Sequence, residues 1–283
     1  GTGDEREALL AFLHSFVATF GSWWPLGSPD SSSFGPNGVV GCSFGHPEDL
    51  LMGVAQQVKS PLFQRATGQL TGEAGQQSPS EMDAEQKLAL ELMHCIAILC
   101  RSSHNRRVLA DRNVFGALVS ALKSIVSGIK YKTSPNSVPA ARPKSSEHWA
   151  RLSLSFLRCM LAHLVSVVAN FIDAHVDMNA SNEGPKVVIP LLESGALSAL
   201  LDVYKLLSSY RSSSSSSAFS EEDTMLELLT LRTLTAAILS DLSAQNYFRT
   251  SGSLDALTEG LGGVGRTWII SLWKSAHKFL RSN

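Results

Sequence analysis

The strongest constraint in this sequence is a helical pattern that occurs three times. Its copies are RNVFGALVSALKSI (112–125), SGALSALLDVYKLL (194–207) and SGSLDALTEGLGGV (251–264). The aligned second positions are Asn113, Gly195 and Gly252. Gly adopts a left-handed backbone freely and Asn tolerates it, and this conformation ends one helix so that another can begin. The pattern therefore predicts three junctions between a short helix and a longer one.

Each copy is apolar on one helix face and polar on the other. The aligned apolar positions are Phe115, Leu197 and Leu254; Ala117, Ala199 and Ala256; Leu118, Leu200 and Leu257; and Leu122, Tyr204 and Leu261. The alanine position predicts close approach of a neighbouring helix. The polar faces carry Ser120, Lys123, Asp202, Lys205 and Glu259. One such unit cannot cover its own apolar face, so stacked units with a shared core are expected.

The segment NRRVLADRNVFGALVSAL (105–122) resembles the armadillo repeat. That repeat has an Asn-Arg-Arg start, a glycine kink and a pattern of alanines and aliphatic residues. Asn113 here takes the place of the glycine, and Gly116 that of the usual proline. The other two copies lack the Asn-Arg-Arg start, which also admits the HEAT class. The copies are 82 and 57 residues apart, and armadillo and HEAT units span ~40–47 residues. The first interval fits two units or one unit with an insertion, and the second fits one unit plus the serine-rich loop.

Helical periodicity continues through the chain, and no segment alternates as a strand would. We predict further helices at 5–20, from Pro47, and at 83–103, 147–177 and 221–244. Loops are predicted near 25–46, 67–80, 133–146 and 210–220, the last of them serine-rich. The expected fold is all-α: an armadillo/HEAT-like α-solenoid with low-complexity loop insertions, forming one domain over residues 1–283. Because the chain begins without Met, we expect it to be a piece of a larger protein.

Three other segments resemble the N-terminal helical region of very large BEACH/WD-repeat proteins of the SPIRRIG type. They are AFLHSFVATFGSWWP, VVGCSFGHPEDLL and LELMHCIAILCRSSHNRRVLA, which lie between residues 11 and 110. The resemblance implies a scaffold for membrane-trafficking and RNA-granule factors. The BEACH and WD-repeat modules that define those proteins are absent from this chain.

Charge and cysteine content narrow the classes of function. With 24 basic and 25 acidic residues the net charge is −1, so no global field attracts nucleic acid or an anionic membrane. The four cysteines form no C-x-x-C pair and are expected to be buried, reduced thiols.

The most apolar run, 156–172, contains Arg158 and His163, which favours a core helix over a membrane span. We expect no signal peptide and a cytoplasmic protein, with endosomes as an associated membrane.

Three short motifs suggest chemistry, and each is better explained by structure. GCSFG (41–45) places Ser43 in a nucleophile-elbow pattern, but it lacks a preceding strand and an oxyanion-hole loop. GLGGVGRT (260–267) follows a predicted helix and has Arg266 where a phosphate loop needs Lys. Cys42 and His46 do not form the pairs of ligands that zinc requires. We therefore predict no enzyme activity, no cofactor and no metal.

The function predicted from the sequence is a non-catalytic scaffold module that binds proteins or peptides. Its contact residues are expected to be Ser120, Lys123, Asp202, Lys205 and Glu259. Their mixed charges predict a peptide of mixed charge rather than nucleic acid. The oligomeric state remains open.

An alternative function is peripheral membrane association through the C-terminal segment 266–283. Trp268, Leu272, Ala276 and Phe279 form an apolar stripe there, and the charged residues are all basic. Such a basic amphipathic helix can lie on anionic lipid. Packing within a further repeat unit is the competing explanation for the same stripe.

Overall fold

The computed structural model describes residues 47–70, 79–100, 103–133, 145–176, 190–213, 221–240 and 242–250. Within this interpretable part, 91% of residues are helical, in 11 helices, and there are no strands. The all-α prediction is therefore confirmed for these residues. The predicted helix 5–20 and the loop 25–46 lie outside them.

The helices are numbered in chain order. They are α1 Pro47–Val58, α2 Pro61–Ala66, α3 Pro79–Leu99, α4 Ser103–Asp111, α5 Val114–Thr133, α6 Ser145–Arg151, α7 Leu154–Val176, α8 at 190–193, α9 Ala196–Ser213, α10 Glu221–Ser240 and α11 Leu242–Thr250. The chain divides into two compact units, unit 1 at Gly1–Phe171 and unit 2 at Ile172–Asn283. The single-domain prediction stays a prediction.

Helix bounds differ from the predicted ones where short polar residues cap helix ends. Ser60 accepts a hydrogen bond from the Phe63 amide and begins α2, which periodicity alone did not predict. Ser153 caps α7 in the same way through the Phe156 amide, at 3.1 Å. The predicted helix 147–177 is therefore two helices, because a serine at an N-cap satisfies an amide that an uninterrupted helix would not leave free.

The two described junctions have the geometry that the pattern predicts. Asn113 has φ of 53° and Gly195 has φ of 88°. The amides of Arg112 and Ser194, just before the left-handed residues, each donate to the carbonyl four residues back at 3.1 Å. The amides of Asn113 and Gly195 each donate to the carbonyl three residues back at 2.9 Å. Gly252 lies outside the described residues.

Two buried side-chain amides, one in α4 and one in α11, each donate to a carbonyl near the end of the preceding helix. Asn105 of α4 donates to the Leu99 carbonyl at 3.1 Å, and Gln245 of α11 donates to the Ile238 carbonyl at 3.0 Å. The last carbonyls of a helix have no partner within that helix. These contacts satisfy two such carbonyls away from water, once in each unit.

The core of unit 1 lies along α3, α5 and α7. The rings of Phe115 and Phe171 pack edge to face with centroids 4.7 Å apart, and Asn170 donates to the Ala97 carbonyl at 3.3 Å. Among the described helices, Val114–Thr133 and Leu154–Ile172 are long and apolar enough to cross a membrane. Of these spans, 56% and 61% are buried against the rest of the protein. This burial fits the core helix that the sequence predicts at 156–172.

Helix α6 is fixed by the indole of Trp149, which lies between two glycines. A Cβ atom on Gly68, in the turn after α2, would lie 2.1 Å from the indole. A Cβ atom on Gly128 of α5 would lie 2.4 Å from it. Gly68 also has φ of 70°, a conformation that favours glycine. The indole therefore fills a space that any side chain at either position would close, and we call this space the Trp149 slot.

We expect Gly128→Ala to lower the free energy of unfolding by roughly 1–3 kcal/mol, because the methyl group displaces the indole from the Trp149 slot. The matched control is Gly53→Ala in α1, where the added Cβ meets nothing within 4 Å. That change should raise stability by roughly 0.5–1 kcal/mol, since alanine favours helix over glycine. Urea denaturation followed by tryptophan fluorescence measures both. Equal effects of the two substitutions would show that the slot is not tightly filled.

Candidate partner-binding face

The predicted contact residues on α5 lie on a polar ridge opposite the core. Ser120 and Lys123 are exposed, as are Ser127 and Lys130 further along the same side, and Gly116 is half-buried. The other side of the helix packs inward through Val114, Phe115, Leu118, Val119, Ala121, Leu122, Ile125, Val126, Gly128 and Ile129. We call Gly116, Ser120, Lys123, Ser127 and Lys130 the α5 ridge.

Helix α9 carries a counterpart at a constant offset of 82 residues. Lys205 and Ser209 are exposed, and Ser198 and Asp202 are half-buried. We call these four residues the α9 ridge. The opposite side is buried through Leu197, Ala199, Leu200 and Tyr204. The aligned Ala117 of α5 is half-buried, whereas Ala199 of α9 is fully buried and Ala256 lies outside the described residues, so the close helix approach predicted at this position stays a prediction.

The predicted site residues therefore fall into two pairs. Ser120 and Lys123 belong to unit 1, and Asp202 and Lys205 belong to unit 2. Glu259 lies outside the described residues. Lys130 is not among the predicted contact residues, although it lies seven residues after Lys123 and therefore on the same side of the helix. Continuing the helical period beyond the aligned segment would have identified it.

The two ridges differ in charge. Lys123 and Lys130 have no carboxylate partner among the described residues, and α5 contains no acidic residue. On α9, Asp202 lies three residues before Lys205, so the two charges offset each other at close range. The α5 ridge is basic and the α9 ridge is nearly neutral.

A second group of ionisable residues joins α2, α3 and α6. Arg65 contacts Glu85 at 2.7 Å, and the Glu85 side chain is only 3% exposed. His148 is buried beside them and makes a hydrogen bond to the backbone of Arg65, while its Nε2 atom has no hydrogen-bond partner. Burial, followed by the charge of Arg151, lowers the pKa of His148 below 6.5, and Glu85 opposes this shift. His148 is therefore held in the neutral form.

A third group lies between α3 and α7. The rings of His94 and His163 pack edge to face with centroids 3.9 Å apart. Glu91 Oε2 is 3.6 Å from His94 Nδ1, longer than a hydrogen bond. Burial and the neighbouring His94 lower the pKa of His163 from 6.5 to about 4. This arrangement favours neutral His163 near pH 7.

Two buried cysteines of α3 and the turn after it, Cys95 and Cys100, are held as neutral thiols. Burial, aided by the charge of Glu91, raises the pKa of Cys95 to about 12, and burial also raises that of Cys100. Both thiols are buried, as the sequence predicts, but Cys159 is exposed, so the prediction is wrong for that residue. It lies on a side of α7 that no described helix covers.

The remaining candidate chemical sites concern metal binding, nucleophilic catalysis and phosphate binding. Over the described ranges, no group of three His, Cys, Asp or Glu side chains could hold a metal ion. Ser43, Cys42 and His46 lie outside those ranges, as do the glycine-rich segment 260–267 and the C-terminal segment 266–283. Predictions about them stay predictions.

Comparison with known proteins assigns no family to this chain. No protein-family model, curated protein or solved structure matches the chain.

We expect the stability of the protein to fall as the pH is lowered from 7 to 5. His163 has a folded-state pKa of about 4, so below pH 6.5 the unfolded chain takes up a proton that the folded chain does not. This difference removes on the order of 2 kcal/mol over that interval, and His148 adds to it in the same direction.

Urea denaturation at a series of pH values measures this loss. His163→Gln should flatten the pH dependence by removing one titrating group. An unchanged slope in His163→Gln would contradict the role given to this residue.

Proposed function

We propose that this chain is a non-catalytic protein-interaction module built from armadillo/HEAT-type helical units. The main support is that α5 and α9 begin at left-handed junctions with the same hydrogen bonds and carry polar ridges at positions 82 residues apart, each with a lysine and a serine at matching positions. Repeated helix faces of this kind form the extended binding surfaces of helical-repeat proteins.

The chemistry of the ridges suggests the kind of partner. Lysine and serine side chains offer charge and hydrogen bonds without a deep apolar pocket, which suits a polar peptide segment laid along the helices. Asp202 adds one negative group, so a partner of mixed charge is favoured. Glu259 belongs to the proposed surface on the strength of the sequence repeat alone.

The setting of this module follows from the second resemblance. If the likeness to BEACH/WD-repeat proteins reflects common descent, the chain is a helical part of a large cytoplasmic scaffold in membrane trafficking, with endosomes as its associated membrane. The ridges would then recruit a partner to that scaffold, and chemistry would lie elsewhere.

Charge reversal on the ridges tests the proposal. We expect Lys123→Glu with Lys205→Glu to reduce the capture of specific partners from cell lysate by about an order of magnitude, because attraction becomes repulsion. The melting temperature should change by no more than about 2 °C, since both side chains are exposed. Quantitative mass spectrometry of the captured proteins measures the first effect.

Lys87→Glu is the control, because Lys87 is exposed on α3 and belongs to neither ridge. Partners lost from the double variant but kept by Lys87→Glu would support the ridges as the binding face. Identical sets of partners for all three proteins would show that the ridges do not bind them.

A further inference from the structure

We propose that the α5 ridge binds an acidic peptide segment, with carboxylates of the peptide paired to Lys123 and Lys130. This inference rests on the proposed interaction function and identifies the part of a partner that one ridge recognises. Four observations carry it: the local charge, the free lysines, their spacing and the small residues between them.

Helices α4 to α6 are much more basic than the chain as a whole. Residues 103–133 and 145–151 contain seven basic and two acidic side chains, a net charge of +5 with His neutral. The whole chain has a net charge of −1. The basic residues are Arg106, Arg107, Arg112, Lys123, Lys130, Lys132 and Arg151, and the acidic ones are Asp111 and Glu147. An acidic ligand is therefore attracted to this part of unit 1.

Two of these lysines are available to a ligand. Lys123 and Lys130 are exposed, and neither pairs with a carboxylate in the described part of the protein. Lys132 differs, because its Nζ donates to the Ala150 carbonyl at 2.8 Å and so helps to hold α6. The ammonium groups of the α5 ridge are the ones left to bind a partner.

The spacing of the two lysines sets the spacing of the acids. They are seven residues apart, or about 10 Å along the helix axis at 1.5 Å per residue. A peptide in the polyproline II conformation has three residues per turn and advances about 3.1 Å per residue, so carboxylates three positions apart lie on one side, about 9 Å apart, and match them. Gly116, Ser120 and Ser127 have small side chains, which lets the peptide backbone approach the helix. Ser127 Oγ donates to the Lys123 carbonyl at 2.9 Å, so its oxygen can accept from a peptide amide.

A peptide explains this surface better than nucleic acid or lipid. Binding to single-stranded nucleic acid depends on stacking aromatic side chains beside the cations, and the α5 ridge has none. Binding to a lipid surface needs apolar side chains that enter the membrane, whereas the ridge carries glycine, serine and lysine. Protein carboxylates match both the charge and the scale of the site.

Fluorescence anisotropy with the full 283-residue chain tests the proposal. The probe is a short fluorescein-labelled peptide with aspartates three positions apart in a serine and glycine background, and the same peptide with asparagines is its control. We expect the aspartate peptide to bind and the asparagine peptide to bind at least about tenfold more weakly, with affinity falling as salt rises. Lys130→Glu should weaken binding roughly three- to tenfold, and Lys130→Arg should retain it.

Lys87→Glu makes the same charge change on α3 and should leave the affinity unaltered. Equal weakening by Lys87→Glu and Lys130→Glu would overturn the proposal, because binding would then follow net charge rather than the ridge. Absence of binding by the aspartate peptide would also overturn it. Single-stranded RNA and phosphatidylserine vesicles are added as competitors. If either displaces the labelled peptide at a lower concentration than unlabelled peptide does, the proposal is also overturned.

The anisotropy experiment and the partner-capture experiment can fail independently of each other. If the aspartate peptide does not bind but the Lys123→Glu and Lys205→Glu variant still loses its partners, the acidic-ligand inference is wrong and the interaction function stands. If the peptide binds through Lys130 while that variant keeps every partner, the α5 site stands and the two-ridge function is wrong.

Discussion

The packing of Trp149 between Gly68 and Gly128 is the contact on which unit 1 depends most. The indole touches the turn after α2 and the inner side of α5 at positions where even a methyl group has no room. The preceding residue, His148, is hydrogen-bonded to the backbone of Arg65, whose side chain pairs with Glu85 of α3. Two consecutive residues of one short helix therefore connect α2, α3 and α5, and the position of α5 determines where its ridge is presented.

In an interior built from helices, buried polar groups must find hydrogen-bond partners within the helices or at their ends. In α10 the hydroxyls of Thr230, Thr233 and Thr235 each donate to a carbonyl four residues back, at 2.7–2.8 Å. This local pairing lets the helix be buried around most of its surface without unpaired hydroxyls. Asn105 and Gln245 solve the same problem at helix ends. His148 Nε2 has no hydrogen-bond partner among the described residues, and burial, followed by the charge of Arg151, makes protonation of this side chain oppose folding.

The proposed interaction function places binding on the outer surfaces of the helices. In α5 and α9 the apolar side supports the core, so the polar side can vary in charge with little effect on stability. Both ridges keep a lysine and serines, but Asp202 is present on one and a second lysine on the other. If each ridge binds as proposed, their different charges would select different peptide segments, which links the mixed-charge prediction to the acidic segment proposed for α5.

The sequence by itself determined the helical class, the left-handed junctions at Asn113 and Gly195, and the exposure of Lys123 and Lys205. Each of these depends on residues within a few helical turns, so periodicity and the backbone preferences of Gly and Asn were sufficient. The break between α6 and α7 was missed, although Ser153 is a local capping signal, because the apolar pattern continues across it. Only the tertiary structure decided the Trp149 slot, the burial of His148 and the contact of His94 with His163. Each of those joins residues far apart in the chain, and no local pattern specifies which distant residue will lie opposite.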